Sequence, residues 1–215
     1  MLDNRHFIAR RAARYFQVGD VVNLGIGIPS LCSKFTEKGV MFQTENGLIG
    51  VGDAATDVMV TDRACNASSQ PFVPMPGASV FDTAYSFAII RSGRMAATVL
   101  GGLQVSAKGD LANWATPGRR FGMGGAMDLC NGAKKVIVAM ELTAKDGSRK
   151  IVNECSLPLT ALACVDHIVT EQCVIDVTPE GLVLREVRQG KTPEDIQAQV
   201  EPELIIPEDW TWMEE

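Results

Sequence analysis

Residues 44–52 read Thr-Glu-Asn-Gly-Leu-Ile-Gly-Val-Gly and set one carboxylate, Glu45, between a short apolar run and a cluster of glycines. A second glycine cluster, Gly122-Met123-Gly124-Gly125, lies far along the chain. A glutamate with an ordinary pKa of about 4.3 is ionised at neutral pH without help. Its weakness is low nucleophilicity, which exclusion of water partly offsets. Attack of such a carboxylate on an acyl carbon gives an anhydride, which is useful when the acyl donor is as reactive as a thioester. The tetrahedral oxyanion then needs backbone N–H donors, and Gly124-Gly125 is suited to supply one.

Other chemistries fit less well. His6 and His167 are far apart and near no cysteine cluster, which argues against a zinc site and a Ser-His-Asp triad. His167 sits in an apolar stretch and reads as a satisfied core residue. The six cysteines (Cys32, Cys65, Cys130, Cys155, Cys164, Cys173) form no C-x-x-C pair and read mostly as small buried hydrophobes. No phosphate-binding G-x-x-x-x-G-K-[ST] loop occurs. Gly25-x-Gly27 opens like a dinucleotide fingerprint, but Ser30 stands where its third glycine belongs. Those two glycines remain candidates for ligand approach.

The elements that must position these groups follow from pattern. Asp3–Gln17 carries Phe7, Ile8, Ala12, Ala13 and Phe16 on one helical stripe, with Asp3 or Asn4 as N-cap. Val21–Leu24 is a short strand, and Pro29 opens a helix to about Phe35. Val40–Thr44 is the strand that delivers Glu45, which places the carboxylate on a strand-to-helix junction, where open α/β sheets bind ligands. Residues 53–76 read as irregular and polar. Phe81–Arg91 is a helix closed by Gly93, and Ala96–Leu100 is a strand. Lys108-Gly109-Asp110 is a tight turn, and residues 113–127 form a long glycine-rich passage. Lys135–Leu142 is a continuous apolar strand of the parallel-sheet kind. Short β runs follow at 168–170, 174–177 and 182–186, the last two joined by a hairpin turn at Pro179-Glu180-Gly181. Thr192-Pro193-Glu194-Asp195 starts a final helix to about Val200. The tail with Trp210 and Trp212 is expected to pack on a surface.

With 215 residues, 46% apolar and 21% charged, the chain reads as one α/β domain over 1–215, its tail after about 190 less defined. A net charge of −6 argues against nucleic-acid binding. No apolar run reaches the ~18 residues of a membrane span. The N-terminus lacks a signal-peptide core, so the expected location is the cytoplasm.

A family resemblance rests on Asn23 to Pro29, Glu45-Asn46-Gly47 with Gly50 and Gly52, and Pro76 to Ser79. It continues through Ser86 to Ala88, Gly102 to Val105, Gly109 to Trp114, Gly122 to Leu129, Lys145 to Gly147 and Leu157 to Thr160. The chain resembles the β (B) subunit of family I coenzyme A transferases, closest in type to bacterial acetate or butyrate–acetoacetate enzymes. The resemblance implies an open α/β fold of the CoA-transferase and ribose-phosphate-isomerase-like type, with a mainly parallel sheet. It implies Glu45 as nucleophile of a ping-pong reaction through a glutamyl-CoA thioester, with Gly125 as oxyanion donor. CoA or acyl-CoA is then a substrate, with no permanently bound cofactor and no metal. Asn23, Gly25, Gly27, Asn46, Gly47, Gly50, Gly52, Gln70 and Gly124 are the implied substrate and CoA contacts. Ser69-Gln70 stands where ketoacid-type members carry a lysine, and Pro117–Gly122 is one residue shorter than the usual form. The α-type half is missing, so the resemblance implies a separate α subunit in a hetero-oligomer of α2β2 or higher order. Acyl-CoA hydrolysis within the family, a sugar-phosphate isomerase on the same fold and a non-catalytic partner module are the rival readings.

Overall fold

The computed structural model describes residues 2–54, 65–66 and 71–214. Helix α1 (Asn4–Ala13) starts where the Asp3 side chain accepts from the His6 backbone N–H at 2.8 Å, and it buries Phe7, Ile8, Ala9, Ala12 and Ala13. Strand β1 (Val21–Leu24) follows, then a 3₁₀ helix at Pro29–Phe35 with proline in its first turn, β2 (Met41–Thr44), β3 (Leu48–Ala54) and β4 (Phe72–Val80). Helix α2 (Thr83–Arg91) is capped by Asp82, whose carboxylate accepts from the Tyr85 N–H at 2.7 Å. The chain continues through β5 (Ala97–Leu100), β6 (Gln104–Ser106), β7 (Leu111–Ala112), β8 (Ala115–Thr116) and β9 (Arg119–Arg120) to helix α3 (Ala126–Gly132). Strands β10 (Val136–Ala139), β11 (Ile151–Val152), β12 (His167–Val169), β13 (Cys173–Thr178) and β14 (Gly181–Val187) come next. Helix α4 (Pro193–Gln197) has a full capping box between Thr192 and Asp195, and β15 (Leu204–Ile205) and β16 (Thr211–Trp212) end the chain.

Among the described residues, eleven strands form one sheet in the order β15-β14-β13-β12-β10-β5-β1-β2-β3-β4, with β16 also on β14. Its centre, β12-β10-β5-β1-β2, is parallel throughout, and antiparallel pairs flank it on both sides. The expected parallel sheet is therefore a parallel core with antiparallel wings. Chain order reverses between β1 and β5, which makes the carboxyl ends of those strands a topological switch point, the usual ligand crevice of such sheets.

Both faces of the core strands are covered, which explains why β5 and β10 are apolar at nearly every position. Val22, Ala97, Val99, Ile137 and Ala139 face α1 and the 3₁₀ turn with Cys32. Leu100, Val136, Val138 and Met140 face the other side, where Ile90, Leu129, Cys130 and Ile196 bring α2, α3 and α4 against the sheet. Cys32, Cys130 and Cys173 are buried as small hydrophobes, whereas Cys155 and Cys164 are half-buried and Cys65 is exposed. His167 is held by Asp176 at 2.7 Å and stacks on Tyr15. Trp210 packs edge-to-face on Trp212 and against the core.

Three expectations need correction. Residues 72–80 form the long strand β4, not an irregular stretch; Pro74 and Pro76 mask it, and the sheet edge tolerates them because an edge strand can spare ladder donors. The glycine-rich passage 113–127 contains the β8–β9 hairpin and the start of α3. Glu45 lies on a β-hairpin between β2 and β3, not on a strand-to-helix junction.

Candidate active site

The turn that carries Glu45 joins Thr44 to Leu48, which face each other across the β2–β3 ladder. A three-residue loop with a positive-φ residue at its end is a common hairpin solution, and Asn46-Gly47 supplies it. Gly47 has φ +123°, its N–H donates to the Thr44 carbonyl at 3.0 Å, and its own carbonyl accepts from Phe81 N–H at 2.9 Å. A Cβ there would sit 2.0 Å from the Phe81 carbonyl oxygen, so only glycine fits. Asn46 braces the loop: its Oδ1 accepts from the Thr44 hydroxyl, and its Nδ2 donates to the Cys65 carbonyl at 2.9 Å.

Below the turn runs a buried polar chain. Asn23 Nδ2 donates to Gln43 Oε1 at 2.7 Å, and Gln43 Nε2 donates to the Ser86 hydroxyl at 2.7 Å. These bonds tie β1, β2 and α2 together through Gln43, two residues before Glu45. Each member is almost fully excluded from solvent, where a satisfied polar network fixes one arrangement.

The Glu45 carboxylate meets the loop before α3. A Cβ on Gly124 would lie 3.4 Å from Oε1, and one on Gly125 only 2.4 Å from Oε2, with the Phe87 ring at 3.0 Å. The Gly125 backbone lies directly against the carboxylate, near enough for its N–H dipole to favour the charged form. Burial raises the Glu45 pKa above the ordinary glutamate value; the Gly125 N–H pulls it down in part, and the Asp128 charge pushes it further up. Asp128, on the first turn of α3, is itself paired with Arg91 Nε at 2.6 Å, and the Arg91 guanidinium lies 5.5 Å from the Phe87 ring centre. The arrangement is a half-buried carboxylate packed against the Gly124-Gly125 backbone, with the Phe87 ring beside Gly125 and a like charge nearby. A carboxylate in such surroundings has the chemistry to attack a reactive acyl carbon.

The other candidate residues divide clearly. Glu45, Asn46, Gly47, Gly124 and Gly125 come together here. Asn23 lies one layer beneath, with its amide engaged by Gln43. Gly25 stands at the switch point, donating to the Val99 carbonyl at 2.8 Å, and Gly27 has φ +91° in the following turn. Gly50 and Gly52 face β4: Cβ atoms there would meet Ala78 at 2.9 Å and the Val73 carbonyl at 2.3 Å, so the neighbour that requires these two glycines is the chain itself. Gln70 lies outside the described residues. Gln43, Ser86, Phe87 and Asp128 belong to the site and had no role assigned from sequence. Polar Asn23 and Gln43 inside apolar strand runs were the available signal for the network. Among the described residues no group of three or more metal-ligating side chains gathers, and no helix is long and apolar enough to cross a membrane.

Comparison with known proteins identifies the family. Residues 6–199 match the Coenzyme A transferase family. The chain is 46% identical to a probable coenzyme A transferase subunit beta of Bacillus subtilis, over 94% of each chain. It is 43% identical to the acetate CoA-transferase subunit beta of Escherichia coli, over 97% of this chain and 96% of the relative. Among solved structures, the acyl-CoA transferase YdiF apoenzyme of Escherichia coli O157:H7 superposes with a TM-score of 0.79 at 22% identity, a likeness of fold. All of this chain is covered there, and it spans 44% of that longer chain. The chain belongs to the coenzyme A transferase family and matches its β subunits along nearly their whole length.

Proposed function

We propose that this chain is the nucleophile-bearing β subunit of a CoA transferase that moves CoA between a short-chain acyl-CoA and a carboxylic or 3-oxo acid. The observation that carries the reading is the half-buried Glu45 carboxylate held on a braced hairpin against the Gly125 N–H. Glu45 attacks the acyl-CoA carbonyl carbon, the C–S bond breaks, and CoA leaves as thiolate from an acyl-glutamyl anhydride. The thiolate attacks Cδ of Glu45, expels the first acid as carboxylate and leaves a glutamyl-CoA thioester. The incoming carboxylate attacks the same Cδ and displaces the thiolate, which then takes the new acyl group and returns Glu45 to its starting state. No net proton is consumed. In this reading the Gly125 N–H, whose backbone lies against the carboxylate, stabilises the oxyanion formed on Glu45 Cδ.

A separate α subunit completes the site in this reading. Phe121 and Met127, on either side of the Gly122–Gly125 loop, are 50% and 46% exposed, and a partner that covered them would exclude water from the carboxylate. The relatives cited above carry the name of β subunits, which fits a two-chain enzyme.

The test is chemical. The chain is assembled with its α partner, incubated with acyl-CoA and digested, and the Glu45 peptide is examined by mass spectrometry with and without hydroxylamine. The expected product is a CoA adduct on Glu45 that hydroxylamine converts to a hydroxamate, absent in Glu45→Gln. An adduct on another residue with Glu45 unmodified removes the mechanism.

A further inference from the structure

Five residues before Gly125 the chain carries two adjacent guanidinium groups that the chemistry at Glu45 does not use. Strands β8 and β9 pair with Ala115 opposite Arg120 and Thr116 opposite Arg119, around a Pro117-Gly118 turn. Trp114 anchors the base of this hairpin: its carbonyl accepts from the Phe121 N–H at 2.7 Å and its indole donates to the Leu159 carbonyl at 3.1 Å. The hairpin and Ser156–Pro158 enclose an open cleft of about 590 Å³. The far wall is fixed as well, because the Ser156 and Leu157 N–H groups both donate to Gln104 Oε1, at 2.9 and 3.0 Å.

The cleft's charge is one-sided. Its lining contains Arg119 and Arg120 and no acidic residue. Both arginines are exposed, and among the described residues neither forms an ion pair. Arg119 stacks over Phe121, with its guanidinium carbon 4.6 Å from the ring centre, a contact that orients the cation and leaves its N–H edge free. In a chain of net charge −6, this is a local positive field built on rigid walls. Planar guanidinium groups with forked donors match phosphate oxygens. The loop from Arg120 to Gly125 spans at most ~18 Å, so the cleft lies within reach of a long flexible thiol arm ending at Glu45. A volume of this size suits a nucleotide better than the single carboxylate of a small acid.

We propose that this cleft receives the phosphate-bearing nucleotide end of coenzyme A, with Arg119 and Arg120 contacting its phosphates. The inference rests on the CoA-transfer reading above and adds to it where the substrate's charged end is held.

The test compares acyl-CoA with the matching acyl-pantetheine thioester, which lacks the nucleotide, using complexes containing Arg119→Ala, Arg120→Ala, the double variant and Arg120→Lys. In the double variant the ratio of kcat/KM for acyl-CoA to that for acyl-pantetheine should fall roughly ten- to hundredfold, as expected for lost charged hydrogen bonds. Arg120→Lys should recover part of it. Calorimetric titration with adenosine 3′,5′-bisphosphate, which needs no turnover, should show binding to the wild-type chain and its loss in the double variant. Equal losses with both thioesters overturn the proposal, as does a KM change confined to the acid. Loss of α-subunit assembly by light scattering with an unchanged ratio also overturns it and makes the arginines a partner contact. Wild-type complex that binds the bisphosphate yet forms no adduct on Glu45 would sink the transfer mechanism and leave the cleft assignment standing.

Discussion

Gly125→Ala separates chemistry from folding at this site. The new Cβ would lie 2.4 Å from Glu45 Oε2, and ordinary van der Waals contact begins near 3.4 Å, so the carboxylate must retreat by about 1 Å. That displacement pulls it from the Gly125 N–H and from the line of attack. Misplacement of a reacting group by about 1 Å can lower a rate about 100-fold, and loss of one oxyanion donor about 100- to 1,000-fold. The two effects share a cause and do not multiply, so transfer should fall by about 10²–10³. Folding should suffer much less. Gly125 has φ −86°, which alanine adopts freely, the clashing oxygen is the end of a flexible side chain, and the Phe87 ring needs to move only a few tenths of an ångström. Overpacking of this kind costs about 1–2 kcal/mol.

Gly124→Ala is the matched control. Its Cβ would make an ordinary 3.4 Å contact with Oε1, but its φ of +53° imposes about 1–2 kcal/mol of left-handed strain on alanine. Stability should drop as much as in the first variant or more, with a smaller loss of transfer. The assay is steady-state transfer by the α–β complex, single-turnover formation of the Glu45 adduct, and thermal unfolding of both variants. A Gly125→Ala enzyme that keeps more than about a third of wild-type activity would refute the reasoning, because a 1 Å displacement then has no catalytic consequence. So would activity losses that simply follow the fall in Tm.

Asp128→Asn removes the like charge beside Glu45, whose carboxylate must be ionised to attack; the acidic limb of kcat/KM for acyl-CoA, above the ordinary glutamate range in the wild type, should move to lower pH. A limb that stays or rises contradicts this electrostatic account. Thr98 is fully buried, and among the described residues its Oγ1 has no hydrogen-bond partner, so Thr98→Val should add about 1 kcal/mol and raise Tm by about 2–4 °C; an unchanged or lower Tm speaks against it. Asn23→Ala strands Gln43 Oε1 in a buried site and should cost about 1–3 kcal/mol in denaturant unfolding, while retention of full stability would show that the network under the turn is dispensable.

How far the sequence discloses this molecule depends on whether one physical signal dominates each segment. Apolar runs at Val21–Leu24, 97–100 and 136–139 mark strands because both faces are covered and nothing competes with hydrophobic burial. Asp3 and Thr192 mark helix starts because a side-chain acceptor beside an orphan N–H has few other uses. Strand β4 hides because Pro74, Pro76 and Gly77 read locally as turn residues, and only the edge position, a tertiary fact, makes them acceptable. Helix α3 hides behind Gly122, Gly124 and Gly125, whose clustering suggests loop until the carboxylate facing them is known.

The hairpin under Glu45 is the most instructive case. Asn46-Gly47 is a hairpin dipeptide, yet the glycines after it invite a reading in which backbone is cleared for a ligand. The structure gives each glycine a separate task. Gly47 clears the Phe81 carbonyl so that β3 can turn back, while Gly50 and Gly52 let β4 close on β3. A turn pinned in this way holds its carboxylate at a fixed height above the buried Asn23–Gln43–Ser86 chain. The position works against stability. Because burial lifts the native pKa of Glu45 above its unfolded value, the native state binds the extra proton, and this contribution to stability is complete only below the unfolded pKa. It is lost as pH rises through the raised native value, so near neutrality the ionised Glu45 is a net destabilising group that the hairpin, the Gly125 N–H and the network beneath must hold in place. For folding alone the amide would serve better, since it carries the same shape without the charge; under the proposed mechanism the carboxylate's cost is offset by the nucleophile it provides.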